Sequence, residues 1–218
     1  MAQAPSPFNP LDKTNLGTSV AQALLAQPKN PLPPAESFSG AGVYLIYYTG
    51  KHPLYASLTR RGRHGRDAQP IYAGKAIPPG ARTGRLGLDL PAGNALFSRL
   101  VEHGKSVAQA GLGPANFSCQ YLVTEDIWIP LGEALLIARL QPLWNVLIDG
   151  FGNHDPGGGR RGQQRSRWDT LHPGRSWAEL LQPNSATAGE LEALVRGFLA
   201  GEPVPGVITP AEAAAEED

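Results

Sequence analysis

Reactive side chains fall on separate predicted elements in the middle of this 218-residue chain. Tyr44 and Tyr72 each lie in a short β-forming run beside a glycine, and Arg99 and His103 are four residues apart on one face of a predicted helix. An arginine can hold an anion through two parallel hydrogen bonds. A histidine, with a reference pKa of about 6.5, exchanges protons near neutral pH. Together these residue types favour acid–base chemistry on an anionic substrate.

Three strands and two helices must bring these residues together. Runs of β-branched and aromatic residues that end at turn signals predict the strands, and apolar repeats of three and four residues predict the helices. The predicted strands cover 42–48, 70–75 and 117–124, and the helices run from near Asn94 to Lys105 and from Pro130 to Leu140. The fold class is therefore α+β: a small, mainly antiparallel three-stranded sheet flanked by helices, with long loop insertions and terminal extensions.

The segments on either side of this centre are richer in loops. The N-terminal segment is rich in Pro, Ser and Asn and contains one short helical candidate near 17–27. Near the C-terminus, Thr187 and Glu190 fit a capping box for a helix through Leu199. The predicted organisation is an N-terminal arm over 1–40, a catalytic core over 41–150, and a basic loop with a C-terminal helical extension over 151–218.

Charge is unevenly distributed, although the formal net charge is zero. Residues 51–110 carry 10 − 3 = +7, residues 160–175 carry 5 − 1 = +4, and residues 176–218 carry 1 − 8 = −7. Two basic blocks beside an acidic tail indicate a polyanionic partner, although an ordinary solvated surface is the competing interpretation. The loops 60–66 and 160–167 are the segments predicted to contact such a partner.

Composition excludes several classes of protein. The single cysteine, Cys119, rules out an internal disulfide and a multi-cysteine zinc site, and we expect it to fill a strand interior. The chain contains no run of about 20 apolar residues that could cross a bilayer. It also has no basic start followed by an apolar stretch, so we expect a cytoplasmic protein without membrane association.

Short motifs in the predicted core resemble those of the GIY-YIG nucleases. Gly42-Val43-Tyr44 and Tyr72-Ala73-Gly74 resemble the two signatures that name the family, with valine and alanine standing for isoleucine at expected strand-packing positions. Two tripeptides alone would be weak evidence, but the later matches follow in the family's order and on the expected elements. These matches are Arg99 with His103, Glu133, and Asn145 after Gln141-Pro142-Leu143-Trp144. The resemblance covers about residues 40–150 and implies a GIY-YIG fold.

Within that family, the chain most resembles the small type II restriction endonucleases that cut GC-rich palindromes such as CCGCGG. The resemblance implies hydrolysis of double-stranded DNA that depends on Mg²⁺, with Mn²⁺ able to substitute, and products with 5′-phosphate and 3′-hydroxyl ends. A palindromic site cut on both strands is most simply served by a homodimer with one active site per strand. The implied catalytic residues are Tyr44, Tyr72, Lys75, Arg99, His103, Glu133 and Asn145, with Glu133 as the metal ligand.

Phosphodiester hydrolysis gives each of these residues a physical role. Glu133 is the only acid within the matched motifs, and Mg²⁺ keeps several waters, so one carboxylate can hold one ion. Arg99 can grip the scissile phosphate, and Tyr44 can orient or deprotonate the attacking water. The proton acceptor is either Tyr44 or His103, and the sequence leaves that choice open. Tyr72 is expected to position the nucleophile or the phosphate, and Asn145 to tether elements through hydrogen bonds.

Other functions and simpler structural roles compete with this interpretation. The alternatives are a structure-specific repair or homing nuclease of the same fold, a non-catalytic DNA-binding protein, and an RNA-binding or structural protein. Glu133 could also merely stabilise the start of its helix. We expect Tyr47, Tyr48 and Tyr55 to pack in the core, and the loop pair His154-Asp155 to be ordinary polar residues.

Overall fold

A four-stranded antiparallel sheet forms the centre of the fold in a computed structural model of the chain, which describes residues 9, 11–58, 69–78 and 93–203. The predicted loop 60–66 and the last 15 residues of the acidic tail lie outside the described residues. The strands are β1 (Asn30–Pro31), β2 (Gly42–Tyr48), β3 (Tyr72–Ala76) and β4 (Phe117–Val123), in the order β1-β4-β2-β3. The predicted α+β class is confirmed, and so are three of the strands.

The two-residue strand β1 was not predicted, because Pro31, Pro33 and Pro34 argue against regular structure. It pairs with β4 at the edge of the sheet, where Asn30 lies opposite Cys119. A proline lacks the N–H that a central strand needs, so it is tolerated at such an edge. Cys119 is buried within β4, as the sequence predicted, and its thiol lies 3.3 Å from the carbonyl oxygen of Pro31.

Strand β2 is buried along its whole length because both faces of the sheet are covered. Successive side chains alternate between two hydrophobic clusters. Val43, Leu45 and Tyr47 pack on one face, whereas Tyr44, Ile46 and Tyr48 pack on the other. This alternation decides which tyrosines of the strand face the candidate site.

Helices cover both faces of the sheet. Helix α1 (Lys13–Leu25) and helix α3 (Ile129–Leu140) cover the Val43 face, and helix α2 (Ala95–Gln109) packs on the Tyr44 face. The short helix α4 (Leu143–Val146) also packs on the Tyr44 face. None of the helices in the described ranges is long and apolar enough to cross a membrane.

The C-terminal part contributes to the same core as the sheet. It contains α5 (Arg167–Leu171), a 3-10 turn at Ala178–Leu180, and α6 (Ala188–Ala200). The predicted capping box of Thr187 and Glu190 is present at the start of α6. Trp168 of α5 and Leu191 of α6 belong to one buried cluster with Trp144 of α4. The division of the chain at residue 150 into separate units stays a prediction.

Candidate active site

Tyr44 and His103 form a buried hydrogen-bonded pair between the sheet and α2. The Tyr44 hydroxyl lies 2.6 Å from Nε2 of His103, and the two residues are 0% and 1% exposed. His103 takes this position because it continues the buried stripe of α2 between Leu100 and Val107. The hydrogen bond thereby joins a strand residue to a helix residue that lies 59 positions later in the sequence.

Burial sets the ionisation of this pair. It raises the pKa of Tyr44 well above its usual value, an effect that the positive charge of Arg99 opposes. Burial lowers the pKa of His103 well below its usual value, and the charge of Arg99 adds to that shift. The ground state is therefore a neutral phenol beside a neutral imidazole, and Nε2 is placed where it can accept the phenol proton.

Arg99 and Tyr72 lie beside this pair. Arg99 is one turn before His103 on α2, and its side chain is 16% exposed. Its NH2 group donates to the carbonyl of Gly152 at 2.5 Å, and its NH1 lies 2.6 Å from Nε2 of His154. The Tyr72 ring centroid lies 5.3 Å from that of His103, and burial raises the Tyr72 pKa while Arg99 opposes the rise. The positive charge of Arg99 thus opposes the rise in pKa that burial causes in both tyrosines.

Glu133 and Lys75 form an ion pair at a partly exposed edge of the cluster. Lys75 Nζ lies 2.5 Å from Glu133 Oε2, and the side chains are 34% and 20% exposed. The Glu133 charge contributes to raising the pKa values of Tyr44 and Tyr72, so it acts on the same hydroxyls as Arg99. Glu133 lies beyond the first turn of α3, where a stabilising effect on the helix start would be weak.

The donor set around Glu133 fits a hard cation that keeps most of its own waters. Glu133 offers a carboxylate that water can reach. Among the described residues, no group of three or more His, Cys, Asp or Glu side chains could hold a metal ion. A single carboxylate ligand suits Mg²⁺ better than zinc, which prefers several nitrogen or sulfur ligands.

Asn145 joins α4 to strand β3. Its Oδ1 accepts the backbone N–H of Ala73, and its Nδ2 donates to the Ala73 carbonyl, both at 2.8 Å. Ala73 lies between Tyr72 and Gly74, so the amide fixes the strand residue next to a candidate catalytic tyrosine. The geometry is that of a tether.

Two glycines make room for the tyrosine hydroxyls. A Cβ atom at Gly74 would overlap the Tyr44 hydroxyl, and a Cβ atom at Gly152 would overlap the Tyr72 hydroxyl. The added carbon at Gly152 would also lie 3.2 Å from Arg99 NH2. Gly74 belongs to the second sequence signature, and this contact gives a packing reason for a glycine there.

Sequence reasoning missed the loop that closes over Arg99. His154 was expected to be an ordinary polar loop residue, but it lies beside the Arg99 guanidinium. Phe151 stacks on His103 with ring centroids 4.4 Å apart. These contacts join residues about 50 positions apart, and no spacing or motif in the sequence signals them.

The basic block at 160–175 is less available to a partner than its charge indicated. Arg165 donates to the carbonyls of Ala178 and Glu179, and Arg167 donates to the Leu147 carbonyl. Arg175, which was counted in the charge of this block, is 2% exposed and pairs with Asp169, so its charge is not available to a partner. Within the block 160–175, the exposed arginines whose side chains have no hydrogen bond to a described residue are Arg160 and Arg161.

Comparison with known proteins supports the motif assignment. A family model described as the Eco29kI GIY-YIG domain matches residues 36–199, which is more than half of the chain. The match spans every candidate catalytic residue and continues through most of α6. No curated protein matches the chain.

Proposed function

Because the chain belongs to the Eco29kI GIY-YIG family, a type II restriction endonuclease family, we propose that it cuts double-stranded DNA at a GC-rich palindrome. The observation that carries the proposal is the buried hydrogen bond between Tyr44 and His103, with Arg99 one turn away and Glu133 at the exposed edge. This arrangement brings together a pair that can transfer a proton, an arginine that can bind a phosphate group and a carboxylate that can bind a metal ion. Phosphodiester hydrolysis needs all three.

The tyrosines and His103 carry the proton of the attacking water. Tyr72 is partly exposed and orients the water, whereas Tyr44 is fully buried and passes a proton on to Nε2 of His103. Burial makes both a stable Tyr44 phenolate and a stable His103 imidazolium unfavourable, so His103 holds the proton only transiently during the attack. Tyr44 therefore donates its own proton to His103 at the same time as it accepts the proton that comes from the attacking water. No Tyr44 phenolate accumulates. As the water oxygen bonds to phosphorus, the bond from phosphorus to the 3′ oxygen breaks.

Arg99 and Lys75 hold the phosphate. Arg99 offers a planar guanidinium that can contact two phosphate oxygens at once, and Lys75 adds a second positive charge at the cleft edge. The departing 3′ oxygen takes a proton from solvent. The products then have 5′-phosphate and 3′-hydroxyl ends.

Glu133 would hold Mg²⁺, with Mn²⁺ able to substitute. When bound, such an ion supplies charge that stabilises the phosphate oxygens in the transition state. The Glu133 carboxylate is partly exposed, so a hydrated ion can approach it. When no ion is bound, the positive charge of Lys75 balances that of the carboxylate. Asn145 contributes by holding β3, and with it Tyr72, against α4.

Sequence reading and assembly follow from the same proposal. Arg160 and Arg161 are exposed and free to reach DNA, and an arginine that contacts guanine through two hydrogen bonds is the commonest specific base contact. The loop 60–66 is the second basic segment proposed for DNA contact. A palindrome implies a homodimer in which each protomer cuts one strand. Restriction of invading DNA places the enzyme in the prokaryotic cytoplasm.

A cleavage experiment tests this function. Purified protein is incubated with unmethylated phage DNA in the presence of Mg²⁺ or EDTA, and the fragments are separated on a gel and sequenced at their ends. We expect discrete fragments with Mg²⁺ alone and their loss in Glu133→Gln. Glu192→Gln is the matched control, because Glu192 forms an exposed ion pair with Arg196 on α6 and should leave cleavage unchanged.

Two other outcomes would replace the proposal. A gel shift without cleavage on any DNA or metal would support a non-catalytic DNA-binding protein. Cleavage that follows branched or flapped structure rather than sequence would support a repair nuclease of the same fold.

A further inference from the structure

Arg175 forms a complete hydrogen-bonding centre beneath the loop that closes over the candidate site. It is 2% exposed, and its Nε and NH2 donate to the two carboxylate oxygens of Asp169 at 2.6 and 2.7 Å. The remaining donors reach three backbone carbonyls: Gly150 at 2.9 Å, Phe151 at 3.1 Å and Asn153 at 3.2 Å. All five guanidinium N–H groups therefore have an acceptor.

The surroundings of Arg175 keep this centre rigid. Its guanidinium lies between the rings of Trp168 and Trp177, at 4.6 and 4.7 Å from their centroids. Ser166 donates to the Asp169 carboxylate at 2.6 Å and caps α5. A buried arginine with every donor used and both faces covered has little freedom to move.

The loop that Arg175 fixes contacts two candidate catalytic side chains. Phe151 stacks on His103 with ring centroids 4.4 Å apart. The next residue, Gly152, accepts a hydrogen bond from Arg99 at 2.5 Å. The carbonyls that Arg175 holds flank this contact on both sides. Arg175 donates no hydrogen bond to Arg99, His103 or the tyrosines. Its charge contributes to lowering the pKa of His103, and a lysine would keep that charge, so the effect that depends on its geometry passes through the loop.

We propose that Arg175, paired with Asp169, is a positioning residue that holds the loop 150–154 against Arg99 and His103 in the geometry needed for cleavage. This proposal rests on the proposed nuclease function for its effect on cleavage. Its structural half, that Arg175 orders the loop, does not depend on that function. A lysine in place of Arg175 keeps the charge beside Asp169 but has three donors, which cannot reach all of these acceptors.

Arg175→Lys tests the proposal against a matched control. The control is Arg196→Lys, because Arg196 pairs with Glu192 on α6 and lies outside both the loop 150–154 and the segments proposed for DNA contact. We expect Arg175→Lys to lower kcat about 100-fold, since misplacement of a catalytic group by about 1 Å has effects of that order. KM should change little, because most DNA affinity comes from phosphate contacts outside the cleft. Arg196→Lys should stay within about threefold of wild type.

A double variant separates positioning from general loss of structure. If Arg175 acts by holding Arg99, Arg175→Lys should lower kcat far less in an Arg99→Ala background than in wild type. An equal fold-loss in both backgrounds, or an equal loss in Arg196→Lys, would overturn the proposal. If Arg175→Lys does not fold, Ser166→Ala removes the two hydrogen bonds of the Ser166 hydroxyl with Asp169 and leaves the pair of Asp169 with Arg175 in place. It should give a smaller loss of kcat with the same dependence on Arg99.

Hydrogen exchange gives a readout that does not need activity. Backbone amides at 151–154 should exchange faster in Arg175→Lys than in wild type, whereas amides of β2 should be unchanged. Unchanged exchange in the loop would refute the positioning role, whatever the protein does to DNA. Faster exchange in a protein that cuts no DNA would refute the nuclease function and leave the structural role in place.

Discussion

Two buried Tyr–His pairs in this fold allow a sharp test of the proposed chemistry. Tyr44 bonds to His103 in the candidate site, and Tyr55 bonds to His172 in the core behind it. In both pairs burial raises the tyrosine pKa and lowers the histidine pKa. Tyr44→Phe and Tyr55→Phe remove the same atom from the same type of bond. They differ only in what surrounds the pair.

The two substitutions should lower the free energy of unfolding by amounts of the same order. Each leaves a buried histidine nitrogen without its partner, which costs about 1–3 kcal/mol. Tyr55→Phe also removes the acceptor for Trp144 Nε1, which lies 3.2 Å from the hydroxyl, so it should be the more destabilising of the two. In a chain of this size about 1 kcal/mol lowers Tm by about 2–4 °C. Both proteins should therefore remain folded at 25 °C.

Their effects on cleavage should differ by orders of magnitude. Loss of a group that transfers protons lowers the rate about 10²- to 10⁴-fold, so Tyr44→Phe should lose activity on that scale. Tyr55→Phe should stay within about threefold of wild type, because its pair lies outside the proton path. The assay is single-turnover cleavage of a plasmid substrate with Mg²⁺, with urea unfolding of each variant as the stability measurement. Comparable rate losses in the two variants would refute the proton path through Tyr44.

Three further outcomes follow from the contacts described above. Lys75→Met should tighten Mg²⁺ binding by a few-fold in calorimetry without DNA, because it frees the Glu133 carboxylate from a partly exposed ion pair worth about 0–1 kcal/mol; weaker binding would contradict this. Gly74→Ala should lower cleavage by at least about tenfold and reduce stability, because the added carbon displaces the Tyr44 hydroxyl. Burial and the nearby charge of His52 lower the His172 pKa to about 3, so stability present above pH 6.5 is lost as pH falls towards 3. Urea unfolding at pH 7 and 5 should show this loss, with a slope up to about 1.4 kcal/mol per pH unit, and His172→Gln should reduce it; an unchanged slope would be the contrary result.

Much of the fold could be predicted because its elements carry strong local signals. Strand β2 is a run of β-branched and aromatic residues, and α6 starts at a capping box. The helix ends were less accurate. Helix α1 starts at Lys13 rather than near Gly17, because Asp12 caps it through the Thr14 amide. Helix α2 continues to Gln109, beyond the predicted end at Lys105.

The reason for the longer α2 is a tertiary contact. Gly104 lies near the predicted end of the helix and is a weak helix former. In the structure a Cβ atom at Gly104 would lie 2.8 Å from Pro33, so the glycine allows the N-terminal segment to pack against the helix. The low helix propensity of glycine favours a helix end near Gly104, whereas packing of the helix against the N-terminal segment favours its continuation.

Some contacts of the candidate site could be predicted from the sequence, and others could not. The grouping of Tyr44 with His103 could be predicted because both belong to the motifs through which the chain resembles the GIY-YIG nucleases. The ion pair of Lys75 with Glu133 and the loop over Arg99 could not, because they depend on how separate elements are joined in space. The buried position of Arg175 could not be predicted either, because it depends on a complete set of acceptors from separate segments.

Burial alone cannot explain why one Tyr–His pair would be reactive and the other inert, since it shifts both pairs in the same directions. The difference lies in the charges near each hydroxyl. Beside Tyr44, the Arg99 guanidinium favours loss of the proton, whereas the hydrogen bond that opposes burial at Tyr55 comes from the neutral indole of Trp144. Arg99 keeps its place through Glu102 of its own helix and through the Gly152 carbonyl and His154. The proposed reactivity of Tyr44 would therefore depend in part on the order of a loop outside the motif that contains it.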